Sequence, residues 1–150
     1  MTVTTSGMNL TSRYANPTFD CAGATIRAHC RHLATVVTVS GSIDALNVER
    51  IGEYTRRFVR AGNPVVLDLS GVDAFAAVGI SLLYLLDEDC RAAELEWLLV
   101  PSPSVGERLS EHVEDVVFPV TSSVRQALRR FADAIAARRQ LLLPLIRKTA

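Results

Sequence analysis

The sequence predicts an α/β domain built on a mixed sheet, and three observations support this prediction. Short β-branched and aliphatic runs alternate with stretches of helical spacing along most of the 150 residues. Two apolar runs, residues 65–69 and 95–100, are nearly continuous, as in strands covered on both faces. The first two strand patterns follow each other directly, which favours an antiparallel pair. We expect one domain with about five strands, mostly parallel, and about four helices beside the sheet.

The first third of the chain predicts a tail, a hairpin and a helix. Residues 1–20 are rich in Ser, Thr and Asn with little apolar periodicity, which predicts a disordered tail before a domain at residues 21–139. Residues 24–31 alternate polar and apolar side chains, and residues 34–40 are β-branched, which together predict a hairpin. Residues 46–61 have apolar positions at helical spacing from Val48 to Phe58 and form an amphipathic helix that ends at Gly62.

The remaining elements alternate between strands and helices. Residues 65–69 predict a strand, residues 70–78 a loop, and residues 79–93 a helix whose buried stripe is Leu82, Leu83, Leu86 and Cys90. Residues 95–100 predict an interior strand, residues 104–112 a short helix, and residues 116–118 a last short strand. A final helix, capped by Thr121 or Ser122, runs to about Arg139.

An apolar extension follows at residues 140–150. Its first seven residues read QLLLPLI. Large apolar residues at a chain end are poorly tolerated in water unless something covers them. We expect them either to fold back onto the domain or to cover a second subunit, which would make a homodimer.

The overall composition argues against several classes of partner. The 16 basic and 16 acidic residues give a formal net charge of zero, so neither nucleic acid nor an anionic membrane is expected as a partner. No apolar stretch is long enough for a signal-peptide core or a membrane span, which predicts a cytoplasmic protein. The three cysteines have no CxxC spacing and are expected as core or strand residues.

No group of residues predicts catalysis, a cofactor or a metal site. The sequence has no phosphate-binding loop and no dinucleotide fingerprint, and Ser81 falls in the first turn of a helix instead of on a nucleophile elbow. His29 and Cys30 would point to opposite faces of a strand, so they cannot converge on one ion. The acidic residues 87–89 are expected to form a solvated helix face. We therefore expect a protein that is not an enzyme.

Four stretches stand out once these elements are in place: VTVSGSIDA at residues 37–45, VVLDLSGV at 65–72, FAAVGI at 75–80 and VPSPSV at 100–105. Through these stretches the sequence resembles the STAS domain family, which includes anti-sigma factor antagonists. The resemblance spans roughly residues 24–132. It implies partner switching, in which the unmodified antagonist binds an anti-sigma factor kinase. Phosphorylation of a loop serine then adds charge to a dry interface and separates the two proteins.

This chain departs from that family at the switch itself. Members that switch in this way usually carry Asp-Ser-x-Gly, whereas residues 76–79 here read Ala-Ala-Val-Gly. Ala77 stands at the phosphoacceptor position, and its methyl group cannot accept phosphate. Control could instead lie in the tail, where we expect Thr2, Thr4 or Thr5 to be phosphorylated by a separate Ser/Thr protein kinase. An inert tail is the alternative.

The expected partner-binding surface is centred on this loop and on the outer side of the following helix. It comprises Asp44, Ala76, Ala77, Val78, Gly79, Ser81, Tyr84, Leu85 and Glu88. Asp44 could equally cap the first helix, and Leu85 could equally be a packing residue. The leading hypothesis is therefore an anti-sigma factor antagonist that is not switched at the loop. The alternatives are a ligand-sensing or scaffold domain, in which residues 74–78 line a pocket or an oligomer contact, and an uncharacterised enzyme or nucleic-acid binder.

Overall fold

Five strands and four helices make up the part of the chain that the computed structural model describes, residues 18–112 and 118–149. The strands are β1 (Thr18–Cys21), β2 (Ala24–Cys30), β3 (Thr35–Ile43), β4 (Val65–Phe75) and β5 (Trp97–Val100). The helices are α1 (Val48–Arg60), α2 (Gly79–Ala92), α3 (Pro103–Glu111) and α4 (Val124–Thr149). The α/β fold predicted from the sequence is confirmed.

The strands form one mixed sheet in the order β1-β2-β3-β4-β5. β1 pairs antiparallel with β2 and β2 antiparallel with β3, whereas β3–β4 and β4–β5 are parallel. The predicted hairpin at residues 24–40 is therefore present. β1 begins at Thr18, inside the stretch predicted as a tail, because the turn at Ala22 and Gly23 folds residues 18–21 back along β2.

Two strands run further than their apolar patterns indicate. β3 continues through Gly41, and β4 continues to Phe75, so most of the predicted loop at residues 70–78 is strand. The two extensions pair with each other, with Ile43 opposite Phe75. Gly41 has a φ of +96°, and a β-carbon there would lie 2.5 Å from the Gly23 carbonyl oxygen. Glycine at residue 41 therefore allows the turn before β2 to pack closely against β3.

The sheet separates two apolar layers. α1, α2 and α3 cover one face, where Ile51, Leu83 and Val105 pack against inward-facing strand residues such as Leu67. α4 covers the other face through Ala127 and Phe131, on a smaller cluster drawn from β3, β4 and β5. Alternation along β4 and β5 supplies both layers, as expected for strands buried on both sides. The predicted buried stripe of α2 is confirmed.

A buried asparagine ties the beginning of α1 to the hairpin. The side-chain amide of Asn47 donates to the carbonyl oxygens of Cys21 (3.0 Å), Ala22 (3.2 Å) and Ser42 (2.8 Å). Its own oxygen accepts from the Asp44 amide. Because Asn47 is fully buried, these contacts fix the helix start against two segments of backbone, the turn after β1 and the end of β3.

The C-terminal elements differ from the prediction in three places. The hydroxyl of Ser123, rather than Thr121 or Ser122, accepts from the Gln126 amide in the first turn of α4. The strand predicted at 116–118 lies mostly outside the described residues, Phe118 is not in a strand, and Val120 forms an isolated parallel bridge with Leu99. α4 also does not stop near Arg139.

The predicted extension at residues 140–150 continues α4 as helix as far as Thr149. Its first two leucines do not fold back onto the domain, because Leu141 is 75% exposed and Leu142 is 54% exposed. Among the described residues, no helix combines the length and apolar character needed to cross a membrane.

Candidate functional site

The candidate site lies where β3 and β4 end side by side. The amide of Ala76 donates to the carbonyl of Ile43 over 2.9 Å, which continues the pairing of Ile43 with Phe75 by one bond. This contact holds the segment after β3, which contains Asp44, beside the segment after β4. We call residues 76–78, between β4 and α2, the signature loop.

The signature loop turns directly into α2. Amides of Gly79, Ile80 and Ser81 donate to the carbonyls three residues before them, at Ala76, Ala77 and Val78. The Ser81 hydroxyl also donates to the Val78 carbonyl, over 2.5 Å. Such i→i+3 bonds make a tight entry to a helix. The loop is therefore a defined turn, with Ala77 and Val78 exposed on its outside.

Gly79 is buried and supports the loop from below. A β-carbon built at this position would lie 2.6 Å from Cζ of Phe75, well inside van der Waals contact. The glycine is therefore needed for the close approach of an aromatic ring. Gly79, one of the predicted partner-binding residues, is buried beneath the loop, and its role in binding stays a prediction.

The predicted outer side of α2 is exposed. Ser81, Tyr84, Leu85 and Glu88 all face solvent, with Tyr84 38% and Leu85 46% exposed. The Tyr84 ring packs edge-on against Phe118, with ring centroids 5.3 Å apart, so one side of it is held while the other is open. We call the exposed residues Ala77, Val78, Ser81, Tyr84, Leu85 and Glu88 the docking face.

Asp44 has a structural role beside this face. Its carboxylate accepts from the Leu46 amide over 2.9 Å, and its carbonyl accepts from the amides of Asn47 and Val48. Asp44 therefore shapes the turn that leads into α1, and its side chain is half-buried, as is Ala76. The same turn leaves Leu46 78% exposed, a surface residue that the sequence had placed in the amphipathic helix.

A shallow groove between α1 and α2 continues the docking face. It has a volume of about 290 Å³ and brings Ser81, Leu82 and Leu85 of α2 opposite Val48, Glu49, Gly52, Glu53 and Arg56 of α1. Gly52 makes the floor, since a β-carbon there would contact Leu82 at 3.4 Å. The groove is apolar in the middle, and its edge on α1 carries Glu49 together with Glu53 and Arg56, which pair at 3.4 Å.

α3 supports the site from the side, and sequence reasoning missed this contribution. Nε of Arg108 donates to the Phe75 carbonyl over 2.9 Å, immediately before the signature loop. The Ser104 hydroxyl donates to the Asp73 carbonyl over 2.8 Å. These bonds satisfy carbonyls at the end of β4, beyond Asp68, where its pairing with β5 has stopped. A lone Arg in a short helix gives no sequence signal for such a contact.

Acidic residues of α2 that were predicted as a solvated face are partly engaged in packing. Asp87 accepts from the Trp97 indole nitrogen over 2.9 Å, and Asp89 pairs with Arg56 of α1 at 2.6 Å. Only Glu88 of the three is exposed. Within residues 18–112 and 118–149, no three side chains of the metal-binding types cluster together.

Comparisons with known proteins agree on the fold. The family model described as "STAS domain" matches residues 25–127. Osmosensory protein A of Mycobacterium tuberculosis is 52% identical over 149 residues, which is 97% of this chain and 94% of that protein. An anti-sigma factor antagonist from Mycobacterium paratuberculosis has a TM-score of 0.63 at 22% identity, covering 73% of this chain and 94% of that chain. The unphosphorylated anti-sigma factor antagonist SpoIIAA has a TM-score of 0.61 at 15% identity, covering 72% and 96%.

Proposed function

This chain belongs to the STAS domain family, and on that premise we propose that it is a cytoplasmic antagonist of an anti-sigma factor that acts by binding and not by catalysis. The observation that carries the proposal is the exposed docking face, on which Val78, Tyr84 and Leu85 present apolar surface beside an ordered loop. Exposed apolar side chains on an ordered surface suit a protein interface, because binding then costs little conformational entropy of the loop and its side chains. Solved structures of similar fold are described as anti-sigma factor antagonists.

The charges around the docking face define the partner's surface. Glu88 lies on the face and Glu49 lines the groove beside it, whereas Glu53 of the same groove is already paired with Arg56 at 3.4 Å. Like charges placed opposite each other across an interface are unfavourable, whereas complementary ones favour the correct orientation. The anti-sigma partner should therefore present an apolar patch bordered by Lys or Arg.

The signature loop offers no phosphoacceptor on its exposed side. Ala77 carries a methyl group, and the hydroxyl of Ser81, in the first turn of α2, donates to the Val78 carbonyl. We propose that control comes from the N-terminal tail, through phosphorylation of Thr2, Thr4 or Thr5, which lie outside the described residues. The name of the 52% identical relative, osmosensory protein A, makes a change in osmotic conditions our candidate for the signal.

Release of a sigma factor tests the central part of this proposal. Anti-sigma factors encoded in the same genome would each be mixed with their sigma factor and RNA polymerase, and the chain added in increasing amounts. We expect transcription to recover with at least one pair, and we expect the Leu85→Glu variant to fail at equal concentration. If no pair responds and a metabolite or nucleotide raises the thermal unfolding midpoint, the ligand-sensing alternative replaces the proposal.

Phosphate mapping tests the control mechanism separately. The chain and a variant with Thr2, Thr4 and Thr5 changed to Ala would be incubated with Ser/Thr protein kinases of the same organism and mapped by mass spectrometry. We expect phosphate on the tail of the first and none on that of the second. Phosphate found only outside residues 1–12 would refute control by the tail and leave the binding proposal intact.

A further inference from the structure

We propose that the C-terminal half of α4 is a self-association element that pairs antiparallel with the same segment of a second copy of this chain. α4 has two halves with different surroundings. Ala127 and Phe131 are buried against the sheet and Ile135 is half-buried, whereas residues 136–142 are all exposed. With a rise of about 1.5 Å per residue, residues 136–149 extend roughly 20 Å past the packed half.

The apolar stripe that packs the first half continues into the second. Leu128 and Phe131 pack against the sheet cluster, and half-buried Ile135 follows Phe131 at a spacing of four residues. Leu142 comes seven residues after Ile135, which places it on the same side of the helix, yet it is 54% exposed. The stripe therefore extends beyond the surface it covers.

The shape of the molecule favours a helix over a flat surface as the occupant. The domain lies on the stripe side of α4, because the same stripe packs on the sheet further up the helix. A flat surface such as a membrane would meet the domain before it could lie along the stripe. A second helix, about 10 Å wide, is narrow enough to lie along the stripe beside the domain, as antiparallel helices do in bundles.

Charge favours a second copy in the antiparallel orientation. Residues 136–149 contain Arg138, Arg139, Arg147 and Lys148 and no acidic residue. Glu94 and Glu96 lie where α4 leaves the domain, and they line a small cavity there with Phe131 and Ile135. Glu96 already pairs with Arg138 of the same chain at 3.0 Å. A two-fold axis across the projecting halves would bring the basic end of each copy to the glutamates of the other.

The experiment is the mass of the full chain in solution, measured by light scattering and sedimentation velocity over a range of micromolar concentrations. We expect the wild type at twice the chain mass and the Leu142→Glu variant at the chain mass. Gln140→Glu is the matched control, because it introduces the same side chain two residues away, on the opposite side of the helix. We expect Gln140→Glu to remain a dimer, and circular dichroism should show both variants folded.

Three results would overturn the proposal. The first is a monomeric wild type throughout the concentration range. The second is a dimer that survives Leu142→Glu, since its interface would then lie elsewhere. The third is a monomer that sediments with vesicles of anionic phospholipid and loses that binding in Leu142→Glu, since the occupant would then be a membrane.

Discussion

At the residue scale, the signature loop depends on a contact between a ring and a backbone. Phe75 ends β4 and places its ring where a side chain at residue 79 would stand. A side chain at residue 79 would therefore have to displace this ring before the loop could turn into α2 as it does. The family pattern Asp-Ser-x-Gly is reduced here to its glycine, and the structure gives a reason for its retention that does not depend on phosphorylation.

Replacing Gly79 should destabilise the fold. We expect Gly79→Ala to lower the free energy of unfolding by about 2 kcal/mol, because the new methyl group must displace the Phe75 ring. The measurement is urea denaturation followed by circular dichroism.

A second glycine provides the matched control for that substitution. A β-carbon at Gly106, within α3, would have no atom within 4 Å, so Gly106→Ala should be neutral or stabilise by up to about 1 kcal/mol. Equal effects of the two substitutions would mean that the ring contact does not limit residue 79.

Cys90 makes the stability of the fold depend on pH in the alkaline range. Burial, with the nearby carboxylates Asp89 and Asp87, raises the pKa of the Cys90 thiol to about 12. In the unfolded chain the same thiol ionises at an ordinary pKa of about 8.5. The folded state therefore holds this proton more tightly, and the resulting stabilisation is complete below the unfolded pKa and is lost as pH rises toward the folded one.

We expect the urea concentration at the unfolding midpoint to decrease as the pH is raised from about 9 to about 11, and to decrease less in the Cys90→Ala variant.

Labelling of the thiols is a second readout. A thiol reagent near pH 8 should label exposed Cys30 in the native protein and spare buried Cys21 and Cys90. Rapid labelling of Cys90 without unfolding would contradict this account of its surroundings.

At the element scale, α3 holds the site in place through the bonds from Arg108 and Ser104 to carbonyls near the end of β4. These carbonyls lie beyond the part of β4 that pairs with β5, which ends at Asp68. α3 therefore takes over the backbone contacts that a neighbouring strand would have made.

Removing the Arg108 contact should loosen the signature loop without unfolding the domain. We expect Arg108→Gln to lower stability by about 1 kcal/mol, since the hydrogen bond to the Phe75 carbonyl is lost together with an exposed ion pair to Glu111, which contributes little. Amide hydrogen exchange of Ala76 and Gly79 should become faster. Arg50→Gln, at an exposed position of α1, is the control and should change neither. Unchanged exchange in Arg108→Gln would remove α3 from the support of the loop.

The sequence was sufficient for elements whose pattern repeats locally. Strands β2 and β5 and helices α1 and α2 lie within a few residues of their predicted ranges, because apolar periodicity records which side faces the core. The sequence was not sufficient for segments whose structure depends on pairing with a neighbouring strand. β1 lies in a polar stretch and is held by β2, and the extensions of β3 and β4 support each other.

The site was predictable only in part, for a related reason. Helical spacing was enough to place Ser81, Tyr84, Leu85 and Glu88 on the outer side of α2. The burial of Gly79, the exposure of Leu46 and the reach of Arg108 depend on contacts between segments distant in the sequence. No local pattern encodes these contacts.

At the scale of the whole molecule, the sheet keeps the two proposed surfaces apart. The docking face belongs to the layer of α1, α2 and α3, whereas the projecting half of α4 belongs to the opposite layer. A dimer formed through α4 would therefore leave both docking faces open. The Leu142→Glu variant should accordingly bind the anti-sigma factor with an affinity per chain close to that of the wild type.

The affinity of the Ala77→Glu variant for the anti-sigma factor tests the central claim most directly. Ala77 is exposed at the beginning of α2, where a carboxylate suits the helix dipole, so the variant should fold normally. Calorimetric titration should show binding weakened at least about tenfold, or about 1.4 kcal/mol. Ala137→Glu, the same change at an exposed position of α4, should bind like the wild type. An unchanged affinity in Ala77→Glu would show that the signature loop is not part of the interface.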